Sequence, residues 1–212
     1  TAALTLGDFV IPRHPRLSGR ICAAIEAGIY ERAERLALES ILRDGDRVLE
    51  LGGGLGYVAS VAARRLGNDA VLTVEADPEM AAVIRGVFAA NGCSPAVMFG
   101  AVSADGKHRA LERAEDLWST KASARDGGHQ VPGLALADLI ARHRPSVLVV
   151  DIEGGELDLP PTVLHGIRAV VIEWHSGPAR RAVEGWLIPQ GFHSRGPRQQ
   201  RTQVFERTGS HG

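Results

Sequence analysis

Two stretches of this sequence bring together residue types that chemistry at a bound ligand would need. The first is Glu50-Leu51-Gly52-Gly53-Gly54-Leu55-Gly56-Tyr57, followed about 20 residues on by Val74-Glu75-Ala76-Asp77-Pro78. Glycines let the backbone turn with positive φ and let a ligand approach where a Cβ would stand. A helix starting after them offers free N–H groups and a positive dipole end to an anionic group. An acid at the end of the next strand, Glu75, is placed to accept hydrogen bonds from ribose hydroxyls. Taken singly, the glycines could be a tight turn and Glu75 a helix cap; together they point to a nucleoside. A dinucleotide fingerprint would need glycine at 52, 54 and 57, but position 57 is Tyr, which disfavours an NAD-dependent oxidoreductase.

The second stretch is a pair of strand ends. Asp151 and Glu153 are two residues apart, as are Glu173 and His175, so in extended chain each pair points to one face. On adjacent strands the four groups would converge at the ligand edge. Asp151 or His175 could then take a proton from an acceptor hydroxyl, with Glu153 and Glu173 on the substrate side. The local alternative is that Glu153 and Glu156 cap a turn and His175 hydrogen-bonds to its neighbours. Hard oxygens and an imidazole could also share a divalent cation, but no spacing demands one and no metal is assigned. Trp118 and His129 lie in a long polar stretch, Lys107 to Val131, and are further substrate-side candidates.

These residues need a scaffold, and the alternation of patterns supplies one. Strands are expected at Arg47–Leu51, Ala70–Glu75, Ala96–Val102, Ser146–Ile152 and Arg168–Trp174, with helices at Tyr57–Leu66, from Asp77-Pro78 to Asn91-Gly92, Ala135–Arg144 and Pro178–Pro189. The near-continuous apolar runs around 147–150 and 169–172 fit strands covered on both faces. Gly191–Ser194 and Thr202–Arg207 read as a closing antiparallel pair. The stretch Lys107–Val131 reads as one long loop, a lid over the acceptor. The first forty-odd residues read as helical, with Tyr30–Leu42 amphipathic. The class is therefore α/β, a doubly wound sheet with an N-terminal helical cover.

The chain resembles the class I S-adenosylmethionine-dependent methyltransferases, and within them the FkbM-type family. The carriers are Gly28-Ile29-Tyr30-Glu31, the 48–57 glycine segment, Val74–Pro78, Ala101-Val102-Ser103, the helix Leu136–Ile140 and Asp151-Ile152-Glu153-Gly154-Gly155-Glu156. The glycine motif marks the superfamily, and the Asp-x-Glu-Gly-x-Glu segment marks the family. The resemblance implies a mostly parallel seven-stranded Rossmann-like sheet and S-adenosyl-L-methionine as cofactor. It would be held by Glu50, Gly52, Gly54, Gly56, Tyr57, Glu75, Ala76, Ser103 and Asp151, and the acceptor would be a hydroxyl on a small metabolite or sugar. Three positions depart from the family pattern: Val149 stands where a Lys is usual, and Ala135 and Ala137 give Ala135-Leu136-Ala137-Asp138 where Thr-Leu-Asp-Asp is common. The first of these keeps a catalytically silent cofactor-binding module as an alternative.

Composition narrows the partners. Lys and Arg total 24 against 25 Asp and Glu, a net charge of −1, without the basic excess that nucleic-acid binding needs. No apolar run approaches a membrane span, and Thr1–Pro12 lacks the pattern of a secretory signal. Two distant cysteines, Cys22 and Cys93, fit a reduced, cytoplasmic protein. The expected division is an N-terminal extension over 1–45, a cofactor-binding domain over 46–208 and a disordered tail over 209–212. A small-molecule acceptor is expected, with no nucleic acid or membrane, and a homodimer is compatible with the amphipathic helix.

Overall fold

The computed structural model describes residues 2–112, 121–123, 129–159, 162–196 and 200–207. Trp118 and the tail at 209–212 lie outside them.

The chain begins with strands β1 (Leu4–Leu6) and β2 (Phe9–Ile11), then helices α1 (Gly19–Glu26) and α2 (Arg32–Ile41). Strand β3 (Val48–Leu51) leads into α3 (Tyr57–Leu66), and β4 (Val71–Glu75) into α4 (Ala81–Ala90). Next come β5 (Ala96–Phe99), β6 (Ala101–Ser103), β7 (Arg109–Glu112), β8 (Lys121–Ser123), β9 (His129–Val131) and β10 (Gly133–Ala135). Helix α5 (Leu136–His143), β11 (Val147–Val150), β12 (Ala169–Glu173), α6 (Gly177–Leu187), β13 (Phe192–Arg195) and β14 (Thr202–Arg207) complete it.

Seven of these strands form one sheet in the order β13–β14–β12–β11–β3–β4–β5. The run from β12 to β5 is parallel throughout, and β14 lies antiparallel between β12 and β13. This is the expected Rossmann-like, class I methyltransferase sheet. Side-chain alternation divides its core in two. Val48, Val71, Val147, Val149 and Val171 face α1–α4, while Leu49, Leu51, Leu148, Val150 and Ile172 face α5 and α6. Covering both faces is what makes the central strands continuously apolar.

Three expectations are corrected. The N-terminal stretch is not helical from its start. Leu4–Leu6 and Phe9–Ile11 pair antiparallel around Gly7-Asp8, and Leu4, Leu6, Phe9 and Ile11 are buried. Apolar residues at alternate positions flanking a two-residue glycine turn specify a hairpin. The side chain of Asn91 fastens it, accepting from Val10 N at 2.9 Å and donating to Val10 O at 2.8 Å.

The expected third strand, Ala96–Val102, is two strands. Gly100 N donates to Glu75 O, but Ala101 N donates to Pro132 O, so the chain exchanges sheet partners there and β6 pairs parallel with β10. The expected loop over 107–131 contains a small antiparallel sheet in the order β8–β7–β9.

Candidate functional site

The carboxyl ends of β3, β4 and β11 open onto a cavity with about 920 Å³ of empty space, its mouth included. Gly52, Gly54, Glu75, Ala76, Asp151 and Glu153 are among the residues that line it. Close packing explains the glycine at 52: a Cβ there would lie 1.7 Å from the carbonyl oxygen of Asp151. The β3 and β11 ends can meet only because that atom is absent.

Glu75 ties two backbone segments together. Its Oε2 accepts from Gly54 N at 2.9 Å and its Oε1 from Asp77 N at 2.8 Å. Burial pushes its carboxyl up to about 7 despite those bonds. Tyr30 and Glu31, from the turn before α2, also line the cavity. A methyl on Gly54 would lie 2.9 Å from Glu31 Oε1 and 3.3 Å from Tyr30 Oη. Burial is the main cause raising both side chains well above their ordinary pKa values, reinforced at Glu31 by the charge of Glu50 and at Tyr30 by Glu31.

Beyond Asp151 lies the second constellation. Strands β11 and β12 are parallel neighbours with Val150 opposite Ile172, so the residues following each strand sit side by side. His175 is at the centre. Its Nε2 lies 3.3 Å from Glu153 Oε2, 3.6 Å from Asp151 Oδ1 and 4.0 Å from Glu173 Oε2, and its Nδ1 lies 3.0 Å from Glu156 Oε1. Burial alone would lower the imidazole pKa, but the hydrogen bond to Glu156 and the charges of Glu153 and Asp151 hold it at about 9. Asp151 is raised well above the usual carboxylate range by burial, then by Glu173 and Glu153. Glu173 is pushed up to about 7 by burial and the charge of Glu34.

With this geometry in view, the comparisons decide the family. The sequence profile of the methyltransferase FkbM domain matches residues 47–193. The chain belongs to the FkbM methyltransferase family. It is by that membership an S-adenosylmethionine-dependent methyltransferase. No curated relative matches it in sequence. Among solved structures it is similar in fold to a precorrin-6y C5,15-methyltransferase from Geobacter metallireducens GS-15, at 12% identity and a TM-score of 0.53 over 82% of this chain and 87% of that one. It is also similar to a ribosomal protein L11 methylase from Lactobacillus delbrueckii subsp. bulgaricus, at 19% identity and a TM-score of 0.50 over 84% and 77%.

In this FkbM protein the sequence-derived residues divide by position. Gly52, Gly54, Glu75, Ala76, Asp151 and Glu153 line the cavity. Glu50 does not, because it alternates to the α1–α4 face of β3, where it is 3% exposed. Tyr57 also turns away, its ring edge-on to Phe9 at 5.3 Å against the hairpin. Gly56 caps α3 against Phe88. The Ser103 hydroxyl is used locally, donating to Asp105 Oδ1 at 3.1 Å and accepting from Gly106 N at 3.1 Å. His129 is exposed on β9.

Tyr30, Glu31 and Arg109 line the cavity without having been placed there from sequence. Tyr30 and Glu31 had a signal in the Gly28–Glu31 segment. Arg109 had none: it lies in β7, donating to Lys107 O at 3.0 Å and to Asp105 Oδ1 at 2.8 Å.

Proposed function

We propose that this protein transfers a methyl group from S-adenosyl-L-methionine to a hydroxyl of a small metabolite or sugar. The observation that carries the reading is the Glu75 carboxylate, fixed by Gly54 N and Asp77 N in a cavity that Asp151 also lines. The residues present fit the cofactor. Gly52 and Gly54 leave room where a side chain would intrude, and Glu75 offers oxygens to the ribose hydroxyls. Met80, Ala101, Val102 and Ile152 would offer apolar surface to the adenine, and the Glu31 and Asp151 carboxyls would offer oxygens to the amino-acid end.

S-adenosylmethionine supplies an electrophilic methyl on a sulfonium and leaves as a neutral thioether. The protein's part is to align the acceptor oxygen behind that methyl, exclude water and take the acceptor proton. Asp151 suits the last task better than His175. It lines the cavity, which His175 does not, and an imidazole held at about 9 is already protonated at neutral pH. Val149 does not favour a silent module: it is 3% exposed within β11 and does not line the cavity. Among the described residues no helix is long and apolar enough to cross a membrane.

The test is product formation. Purified protein is incubated with S-adenosylmethionine and a panel of hydroxylated sugars, phenols and amines, and S-adenosylhomocysteine and methylated product are followed by mass spectrometry. A methyl ether on a hydroxyl acceptor, lost in Asp151→Asn, supports the reading. Methylation confined to amines contradicts the hydroxyl assignment.

A further inference from the structure

The groups around His175 are arranged for more than removing a proton. Glu156 is fully buried, with Oε1 on His175 Nδ1 at 3.0 Å and also accepting from Gly154 N at 3.1 Å. A carboxylate on Nδ1 fixes the tautomer and orientation of an imidazole, and leaves Nε2 to bind whatever lies in front of it. In front of it are oxygens of Glu153, Asp151 and Glu173, at 3.3, 3.6 and 4.0 Å. Asp151 Oδ1 is sealed from solvent and has no hydrogen-bond partner, as is Glu156 Oε2. Four carboxylates around one imidazole therefore leave buried oxygens unsatisfied, a cost that protons or a bound cation would relieve.

We propose that His175 Nε2, Asp151 Oδ1 and the Glu173 carboxylate form a divalent-cation site, with Glu156 as the outer carboxylate that orients the histidine. One ligand atom from each of the three lies within 4.8 Å of the others. Bonds of about 2.0–2.2 Å place neighbouring ligand atoms roughly 3.0–3.5 Å apart, so small side-chain rotations complete the set as the cation displaces the Nε2 proton to solvent. One imidazole with carboxylates suits Mn²⁺, Fe²⁺, Co²⁺ or Zn²⁺ better than the all-oxygen set that Ca²⁺ prefers.

The position gives the cation a use, and this consequence rests on the methyl-transfer reading above. Asp151 lines the cavity and also belongs to the triad. A cation there would face the acceptor, bind its hydroxyl at an open coordination position and acidify it. With Asp151 engaged as a ligand, Glu153, whose Oε2 is 3.3 Å from His175 Nε2, would replace it as the carboxylate that takes the proton.

Mn²⁺ binding to the whole chain, followed by electron paramagnetic resonance, tests the site, with spin-echo modulation to detect a nitrogen ligand. The expected result is one saturable Mn²⁺ per chain carrying a ¹⁴N coupling. His175→Gln should abolish the coupling, and Glu173→Gln should weaken binding by at least about tenfold. Asp69→Asn, remote from the site, should change neither. Absence of saturable Mn²⁺ or Co²⁺ binding to the unaltered protein, or binding without nitrogen coupling, overturns the site whether or not the variants fold. S-adenosylhomocysteine affinity is measured on the same samples: cofactor binding without cation binding removes this proposal alone, and cation binding without cofactor binding removes the cofactor reading alone.

Discussion

Glu50 on β3 and Val149 on β11 are register partners in the parallel sheet, both 3% exposed and both on the α1–α4 face. Val149 supplies no charge to the carboxyl, and Glu50 Oε2 is sealed from solvent without a hydrogen-bond partner. Burial pushes the Glu50 pKa up to about 8. At neutral pH this acid is therefore kept mostly protonated between Val149 and Thr73, its partners on the two flanking strands.

That protonation makes stability depend on pH in a defined direction. The unfolded carboxyl titrates near its ordinary ~4.3, so between there and about 8 the folded chain holds a proton that the unfolded chain has lost. The contribution is fully present below the unfolded value and disappears as pH rises through 8, at up to about 1.4 kcal/mol per pH unit. Urea melts at pH 6 and pH 8 should show the wild type losing stability. Glu50→Gln, which cannot titrate, should lose at least ~1 kcal/mol less over that interval. Equal losses would mean that Glu50 ionises normally.

Asp46 shows the opposite behaviour. Hydrogen bonds from the Arg168 guanidinium, from Ser146 Oγ at 2.7 Å and from Arg43 N at 2.7 Å outweigh its burial and lower its pKa. Its contribution is present above the unfolded value near ~3.9 and is lost as pH falls through the lower folded one. Asp46→Asn leaves the Arg168 charge partly uncompensated. We expect a cost of about 2 kcal/mol, below the 3–5 of an enclosed pair because the Arg168 side chain remains 15% exposed and Glu206 lies 3.6 Å away. Chemical denaturation at pH 7 measures it, and a change under ~0.5 kcal/mol would mean that the pair is not structural.

The two glycines of the cavity should separate folding from binding. In Gly52→Ala the new methyl meets backbone, the Asp151 carbonyl at 1.7 Å, so β3 and β11 must move apart and the melting temperature should fall steeply. In Gly54→Val the nearest atom is the Glu31 carboxylate at 2.9 Å, which can swing aside into the cavity. The fold should survive, while S-adenosylhomocysteine affinity drops at least about tenfold from lost space and the strained positive φ. Thermal melts and calorimetric titrations of both variants check the contrast, and unchanged affinity in Gly54→Val would place the cofactor elsewhere.

The hairpin makes a prediction of its own. Asn91 closes both hydrogen bonds to Val10 and also donates to Val87 O at 2.7 Å. Asn91→Ala should cost about 1–3 kcal/mol by leaving partly buried backbone groups unpaired. Faster hydrogen exchange at Leu4–Ile11 than in the central strands should accompany it, and unchanged protection there would show that hydrophobic packing alone holds the hairpin.

What the sequence made legible follows from how local each determinant is. Helix α3 spans Tyr57–Leu66 as expected, because a glycine turn and an apolar face mark both ends. Glu75 and Asp151 were accessible for the same reason: strand ends beside turns are where a parallel sheet presents its ligands. Glu50 is buried on the α1–α4 face and does not line the cavity, because strand alternation carries it there and the motif is silent about which face is open. Ser103 was lost to a three-residue turn closed by Asp105. The burial of Glu156 depends on α6 packing over a segment adjacent only in space, so nothing near it in sequence announces it. The hairpin did have a local signal in Leu4-Thr5-Leu6-Gly7-Asp8-Phe9-Val10-Ile11, whose alternation is too short to outweigh the helical stretch that follows.

The central claim is that Glu75 and the glycine turn hold a sulfonium nucleoside, and calorimetric titration with S-adenosylhomocysteine beside NAD tests it most directly. S-adenosylhomocysteine should bind one per chain and NAD should not. Glu75→Gln should weaken the former by about 10–100-fold, the range for a hydrogen bond to a charged group. Binding of NAD without S-adenosylhomocysteine, or an affinity for the latter unchanged by Glu75→Gln, would contradict the account.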